Sequence, residues 1–277
     1  MELGISSLGY IVDLGLSGKF KSLFNLLFDA TESCLKFAEK NNINVCELVL
    51  DPPEISTVEK KQKFFDLCNS FPHIKKQVHA PFLDLCLCSH NKFISKATVE
   101  SYIESAKICK EIDSKILTIH PGSANFLVKS FYIYNKQILL EAINFFLDSI
   151  KSKTLKVCLE NMPKNVNIFL GIPEIEGFFT NLNRHDIFLT WDTSHSWTCD
   201  VDVKIFWKKF NKLIKNIHLV DNSDKDKDNH PGLGTGKVNF NEIFKIIDEY
   251  DYNGGLIIEL SSAKDLPKSI EFVKKFL

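Results

Sequence analysis

Residues 138–160 read ILLEAINFFLDSIKSKTLKVCLE. The first half places Leu139, Ala142, Ile143, Phe146, Leu147 and Ile150 at spacings of three and four, one face of an amphipathic helix. The last five residues, Lys156–Glu160, are a nearly continuous apolar run of strand length that closes on a carboxylate. A helix followed by a strand meant for burial on both faces is half of a βαβ unit, and such strands belong to parallel sheets.

The same alternation extends outward in both directions. Candidate strands are Leu3–Ser6, Val45–Leu50, Lys76–His79, Ile116–His120, Lys156–Glu160, Ile187–Asp192, Asn216–Leu219 and Leu256–Leu260. Helical periodicity recurs over Phe24–Glu39, Phe240–Tyr250 and Leu266–Phe276. Eight rounds without a break in composition predict a closed (β/α)8 TIM barrel occupying residues 1–277 as a single domain. No Gly-x-Gly-x-x-Gly follows the first strand, which removes the main support for an open dinucleotide-binding sheet. The polar stretches Pro81–Asn91 and Asp221–Lys237 follow the third and seventh strands and are expected as loops on the C-terminal face.

Composition narrows the partners. The 277 residues carry a formal net charge of −1, and only Arg184 among 34 basic residues is arginine. A basic stripe for nucleic acid is missing, and arginine, the residue best suited to gripping phosphates, is scarce. None of the eight cysteines forms a Cys-x-x-Cys pair, and most sit in apolar runs. The opening MELGISSLGYIVDLG lacks the pattern of a secretory leader, and no apolar run is long enough to span a bilayer. A cytoplasmic protein with reduced thiols and no membrane partner is expected. The 23 phenylalanines leave room for a homodimer surface.

Chemistry gathers at strand ends. His79, His120, Glu160, Asp192, His218 and Glu259 close the third to eighth strands, and in a (β/α)8 barrel those ends face one pocket. Glu160, Asp192 and Glu259 each follow an apolar run. A carboxylate carried into such a strand is paired, protonated or metal-bound, and three of them in one pocket call for a cation. Carboxylates with an imidazole make an oxygen and nitrogen site suited to Mn, Zn, Mg or Co.

Seven segments appear in order: HAPF (79–82), IHPGS (119–123), CLEN (158–161), WDTSH (191–195), IHLVD (217–221), HPGLGTG (230–236) and IIEL (257–260). Together they resemble the xylose isomerase-like barrel superfamily, which includes sugar and sugar-phosphate isomerases and epimerases and the AP endonucleases of the endonuclease IV type (AP endonuclease family 2). In the first branch the resemblance implies one divalent ion on Glu160, Asp192, His218 and Glu259. Glu160 and Glu259 would also exchange a proton with an enediolate, and the substrate would be a carbohydrate or sugar phosphate. In the second it implies up to three zinc ions, with His79, His120, His195, Asp228 and His230 as additional ligands; in the first these five would instead line the substrate pocket.

The isomerase or epimerase is the first expectation, the zinc-dependent AP endonuclease with a nucleic-acid substrate the alternative, and a non-catalytic ligand-binding barrel the third. Three departures weigh against the nuclease. The seventh loop is short and carries Asp228-Asn229-His230, Leu233-Gly234-Thr235-Gly236 replaces an Ile-Gly-Glu-Gly, and the N-terminal glycine-bearing DNA-contact motif is absent. Trp191 is a candidate to stack on a sugar face, weighed against a place in the barrel wall.

Overall fold

The computed structural model of the chain describes residues 1–124, 128 and 131–277. Eight parallel strands close into a barrel in chain order: β1 (Glu2–Ser6), β2 (Val45–Val49), β3 (Lys75–His79), β4 (Ile116–Ile119), β5 (Lys156–Glu160), β6 (Ile187–Asp192), β7 (Ile214–Leu219) and β8 (Gly255–Ile258). Every strand read from the sequence is present. The ends shift little: His120 and Glu259 lie one residue beyond β4 and β8, and β7 begins two residues earlier.

The helices are α1 (Leu8–Ser17), α2 (Leu23–Lys40), α3 (Val58–Asn69), α4 (Lys92–Glu111), α5 (Tyr132–Ile150), α6 (Ile172–Leu182), α7 (Thr193–Thr198), α8 (Val203–Phe210), α9 (Phe240–Glu249) and α10 (Leu266–Val273). Two rounds of the barrel therefore carry a second helix, α1 and α7. No described helix is long and apolar enough to cross a membrane.

The two-residue period of a strand sorts the side chains. On β5, Val157 and Leu159 face the helices while Cys158 and Glu160 take the other parity; on β7, Ile217 and Leu219 alternate with Asn216 and His218. The barrel interior is unusually polar. Asn216 Nδ2 donates to Glu47 Oε2 at 2.7 Å and to Thr118 Oγ1 at 3.3 Å, and Thr118 and Thr190 share a hydroxyl bond of 2.8 Å. This layer, fully enclosed, forms the floor on which the C-terminal residues stand. All eight cysteines are free.

The loops above the barrel are tied down. Asp51 accepts from the backbone of Phe82 and Leu83 at 2.7 and 2.9 Å, anchoring the loop after β3. Asp221 accepts from Gly234, Gly236 and Val238, folding the loop after β7 back on itself. Gly236 must be glycine for this, because a Cβ there would lie 2.3 Å from Asp221 Oδ1.

Candidate metal centre

Nine ionisable side chains converge at the C-terminal mouth of the barrel, and a tenth lies beneath them. They are the nine from the sequence, His79, His120, Glu160, Asp192, His195, His218, Asp228, His230 and Glu259, and one that sequence reasoning missed, Glu47 on β2. Their potential ligand atoms form four groups, each within 4.8 Å: His79, His120 and Glu160; Glu160, Asp192 and His195; His195, Asp228 and His230; and Glu47, His218 and Glu259. Glu160 joins the first two groups and His195 joins the second to the third.

Glu160 is the hub. Its Oε2 lies 3.1 Å from His120 Nε2 and 3.5 Å from His79 Nε2, and its Oε1 lies 3.3 Å from His218 Nδ1. Glu259 Oε2 is 3.8 Å from the same His218 nitrogen. In the loop after β7, Asp228 bridges His195 Nε2 and His230 Nε2, each at 3.2 Å.

Three of the imidazoles are oriented from behind. His79 Nδ1 donates to Ala80 O at 2.8 Å and His195 Nδ1 to Asn161 O at 2.7 Å, since a carbonyl can only accept. His218 Nε2 faces Glu47 Oε1 at 2.8 Å. In His79 and His218 the other ring nitrogen is thereby left to face the cluster; in His195, Nε2 faces Asp228 while the held Nδ1 also lies 3.4 Å from Glu160 Oε1. A histidine whose far N–H is held by a carbonyl or carboxylate is the usual arrangement of a metal ligand, because it fixes the tautomer and raises basicity.

The donor set fits divalent ions on grounds of its own. Asp192 Oδ2, Glu259 Oε2 and His230 Nδ1 are buried without a hydrogen-bond partner. Such atoms are costly to bury unless something else satisfies them. No lysine or arginine lines the cavity of about 550 Å³ above the cluster among the described residues. Five carboxylates without a fixed cation must be balanced by metal or by protonated imidazole.

The electrostatics bear this out for the metal-free chain. Burial alone would lower these histidines and does lower His120, but carboxylates outweigh it at two others: Glu160 holds His79 at about 8, and Asp228 holds His230 at about 9. Burial pushes Asp192 up to about 7. The His79 and His230 stabilisation is complete below their unfolded value of about 6.5 and is lost as pH rises towards 9. Asp192, also raised, acts in the same direction between about 3.8 and 7. The melting temperature of the metal-free protein is therefore expected to fall from pH 6 to pH 9. Saturating zinc should raise it most at the alkaline end, because ligands bind metal deprotonated. Thermal melts across that range, with chelator or with zinc, check this; a flat profile without metal would contradict it.

Glu47 lies below the mouth, fully buried, with Oε2 held by Asn216 and Oε1 by His218. This places it behind His218 rather than beside the open cavity. Its signal was present in the sequence as a lone acid inside Val45-Cys46-Glu47-Leu48-Val49, but mid-strand rather than at a strand end. Glu47→Gln is expected to weaken zinc binding about 10- to 100-fold while leaving the fold intact, the cost typical of removing such a partner. A competitive zinc titration against a chelating dye reads this, and unchanged affinity would remove the role.

Trp191 does not line the cavity at the barrel mouth. It has the opposite strand parity from Thr190 and Asp192, so it points outward. There it is fully buried against Phe206 and Trp207, at centroid distances of 5.9 and 5.4 Å, with Nε1 donating to Ser196 Oγ. Of the two readings weighed for it, the structure takes the wall role and leaves out the sugar contact.

Comparison with known proteins reaches the same fold from two directions. The chain is 27% identical, across its whole length and 89% of the relative, to the uncharacterized protein MJ1311 of Methanocaldococcus jannaschii. It is 27% identical over 69% of its length to a probable endonuclease 4 of Mycoplasma mobile, covering 70% of that protein. Among solved structures, a D-tagatose 3-epimerase-like protein superimposes with a TM-score of 0.82 at 23% identity, covering 100% of this chain and 97% of its own. The family model described as xylose isomerase-like TIM barrel matches residues 35–276, and the chain belongs to that family.

Proposed function

We propose that the protein is a metal-dependent hydrolase of small phosphodiesters, holding up to three divalent ions, zinc by preference, among the nine donors predicted from the sequence. The observation that carries this reading is the overlap of the ligating groups. His79 and His120 group with Glu160, and His195, Asp228 and His230 form a further group without it, where a single-ion proton-transfer site needs only Glu160, Asp192, His218 and Glu259. Nitrogen and carboxylate donors in small clusters suit zinc.

Divalent ions held there would polarise a phosphoryl oxygen, generate the attacking hydroxide and neutralise charge in the transition state. The chain's own contribution is positional. Glu47, Ala80 O and Asn161 O fix three imidazole rings, and the floor of Thr118, Thr190 and Asn216 seals the site from below. The net charge of −1 and the scarcity of arginine favour a small diester over a long duplex.

Sugar epimerisation is the second reading. It would use Glu160, Asp192, His218 and Glu259, of which Glu160 and Glu259 approach His218 Nδ1 to 3.3 and 3.8 Å, and the solved structures that cover the whole chain include several titled 3-epimerases. The zinc-loaded protein is expected to hydrolyse bis(4-nitrophenyl) phosphate, with activity lost to chelator and restored by zinc. It should cut an abasic-site duplex poorly at physiological salt. Deuterium entering C3 of a ketohexose, without diester cleavage, would put epimerisation first.

A further inference from the structure

A second cavity, of about 780 Å³, adjoins the metal-ligand cavity and shares Phe82, His120, His195 and Asp228 with it. That volume lies within the range of small-molecule sites, roughly 300–1,000 Å³. The loops after β3, β4 and β5 and the first turn of α4 build it, and they are stitched together. Cys88 N donates to Pro121 O at 3.1 Å, Asn135 Nδ2 to Cys88 O at 2.6 Å, and Ala124 N to Val166 O at 2.9 Å. Gly122, at φ +92°, lets the β4 loop press against Cys86; a Cβ there would sit 2.5 Å from the sulfur. The cavity is thus formed before any ligand arrives.

Its walls are chemically unlike the neighbouring ligand cluster. Phe82, Leu83, Leu85, Ile94, Met162 and Val166 supply apolar surface. Among the described lining residues the carboxylates are Asp84 and Asp228, and none is lysine or arginine. A second phosphate would therefore meet two acids and no lysine or arginine, whereas an uncharged ring would meet apolar faces. Phe82 stands at the junction, its ring 5.3 Å from that of His79 and 5.1 Å from that of His120.

We propose that this cavity is the subsite for a flat, uncharged aromatic group carried by the substrate, whose phosphoryl group lies against His120, His195 and Asp228. The phosphoryl half of the statement rests on the hydrolase reading; the aromatic half rests on the cavity alone. Calorimetry on the zinc-loaded full chain, with phenylphosphonate and methylphosphonate as probes, tests it. Phenylphosphonate is expected to bind at least tenfold more tightly. In Leu83→Ser/Ile94→Ser, whose parent side chains are 62% and 41% exposed and so dispensable for folding, the ratio should fall below threefold. Equal affinities in the unaltered protein, or a ratio unmoved by the double substitution, would overturn the subsite. If neither phosphonate binds, saturation transfer to benzyl alcohol decides. Transfer that the double substitution abolishes keeps the aromatic subsite and removes the phosphoester reading; its absence overturns both.

Discussion

Glu160→Gln is expected to cost at least one bound zinc ion per chain and about a thousandfold in diester hydrolysis. Glu160 contacts His79, His120 and His218 and belongs to two of the four ligating groups, so its charge is shared across the centre. His218 and His120 hold its carboxyl well below the usual range even though burial opposes this. It is ionised at any working pH, and glutamine removes that charge without changing shape. Metal stabilisation of a phosphoryl transition state contributes several kcal/mol, and each 1.36 kcal/mol is a factor of ten. The fold should persist, because glutamine still offers a hydrogen bond to the imidazoles. Elemental analysis and the diester assay read the two effects; unchanged metal and rate in a folded variant would contradict the centre as drawn.

Asp228→Asn separates the two functional readings. Asp228 lies in the loop after β7 with its side chain a third exposed, and it bridges His195 and His230. The two histidines hold its carboxyl far below the ordinary range against the pull of burial. Asparagine keeps the volume and loses the anion, so the third ligating group should lose its ion while the rest stay loaded. We expect about one zinc fewer per chain and about a hundredfold lower diester hydrolysis, with little change in melting temperature. A single-ion epimerase centre does not include Asp228, and there the metal content would be unmoved. That outcome would return the tetrad reading to first place.

Most of the barrel was legible because its strands are buried on both faces and so read as short apolar runs. β5 and β6 match their expected bounds to the residue. The extra helices were not legible. Leu8–Ser17 contains Gly9 and Gly15, poor helix formers, and Gly9 is required by packing, since a Cβ there would lie 2.7 Å from Ala263 N. The six residues of Thr193–Thr198 are too short for a periodic signal, and their helix depends on Asp192 Oδ1 accepting from His195 N at 2.7 Å.

The nine predicted donors were visible because they stand at strand ends or in the loop motifs. Which nitrogen of each ring faces the cluster was not, because Ala80 O and Asn161 O are backbone atoms that only the fold brings into place. Glu47 escaped because it sits 169 residues from Asn216 and 171 from His218 in the chain, and mid-strand acids are not confined to sites. The wall role of Trp191 was legible from parity, since it is one residue out of step with Thr190 and Asp192.

Elemental analysis of the purified protein gives the number of metal ions that the nine donors hold. Two to three zinc ions per chain, falling by one in Asp228→Asn, is the predicted result. No bound metal, or a single ion retained unchanged in Asp228→Asn, would contradict a centre built on all nine donors.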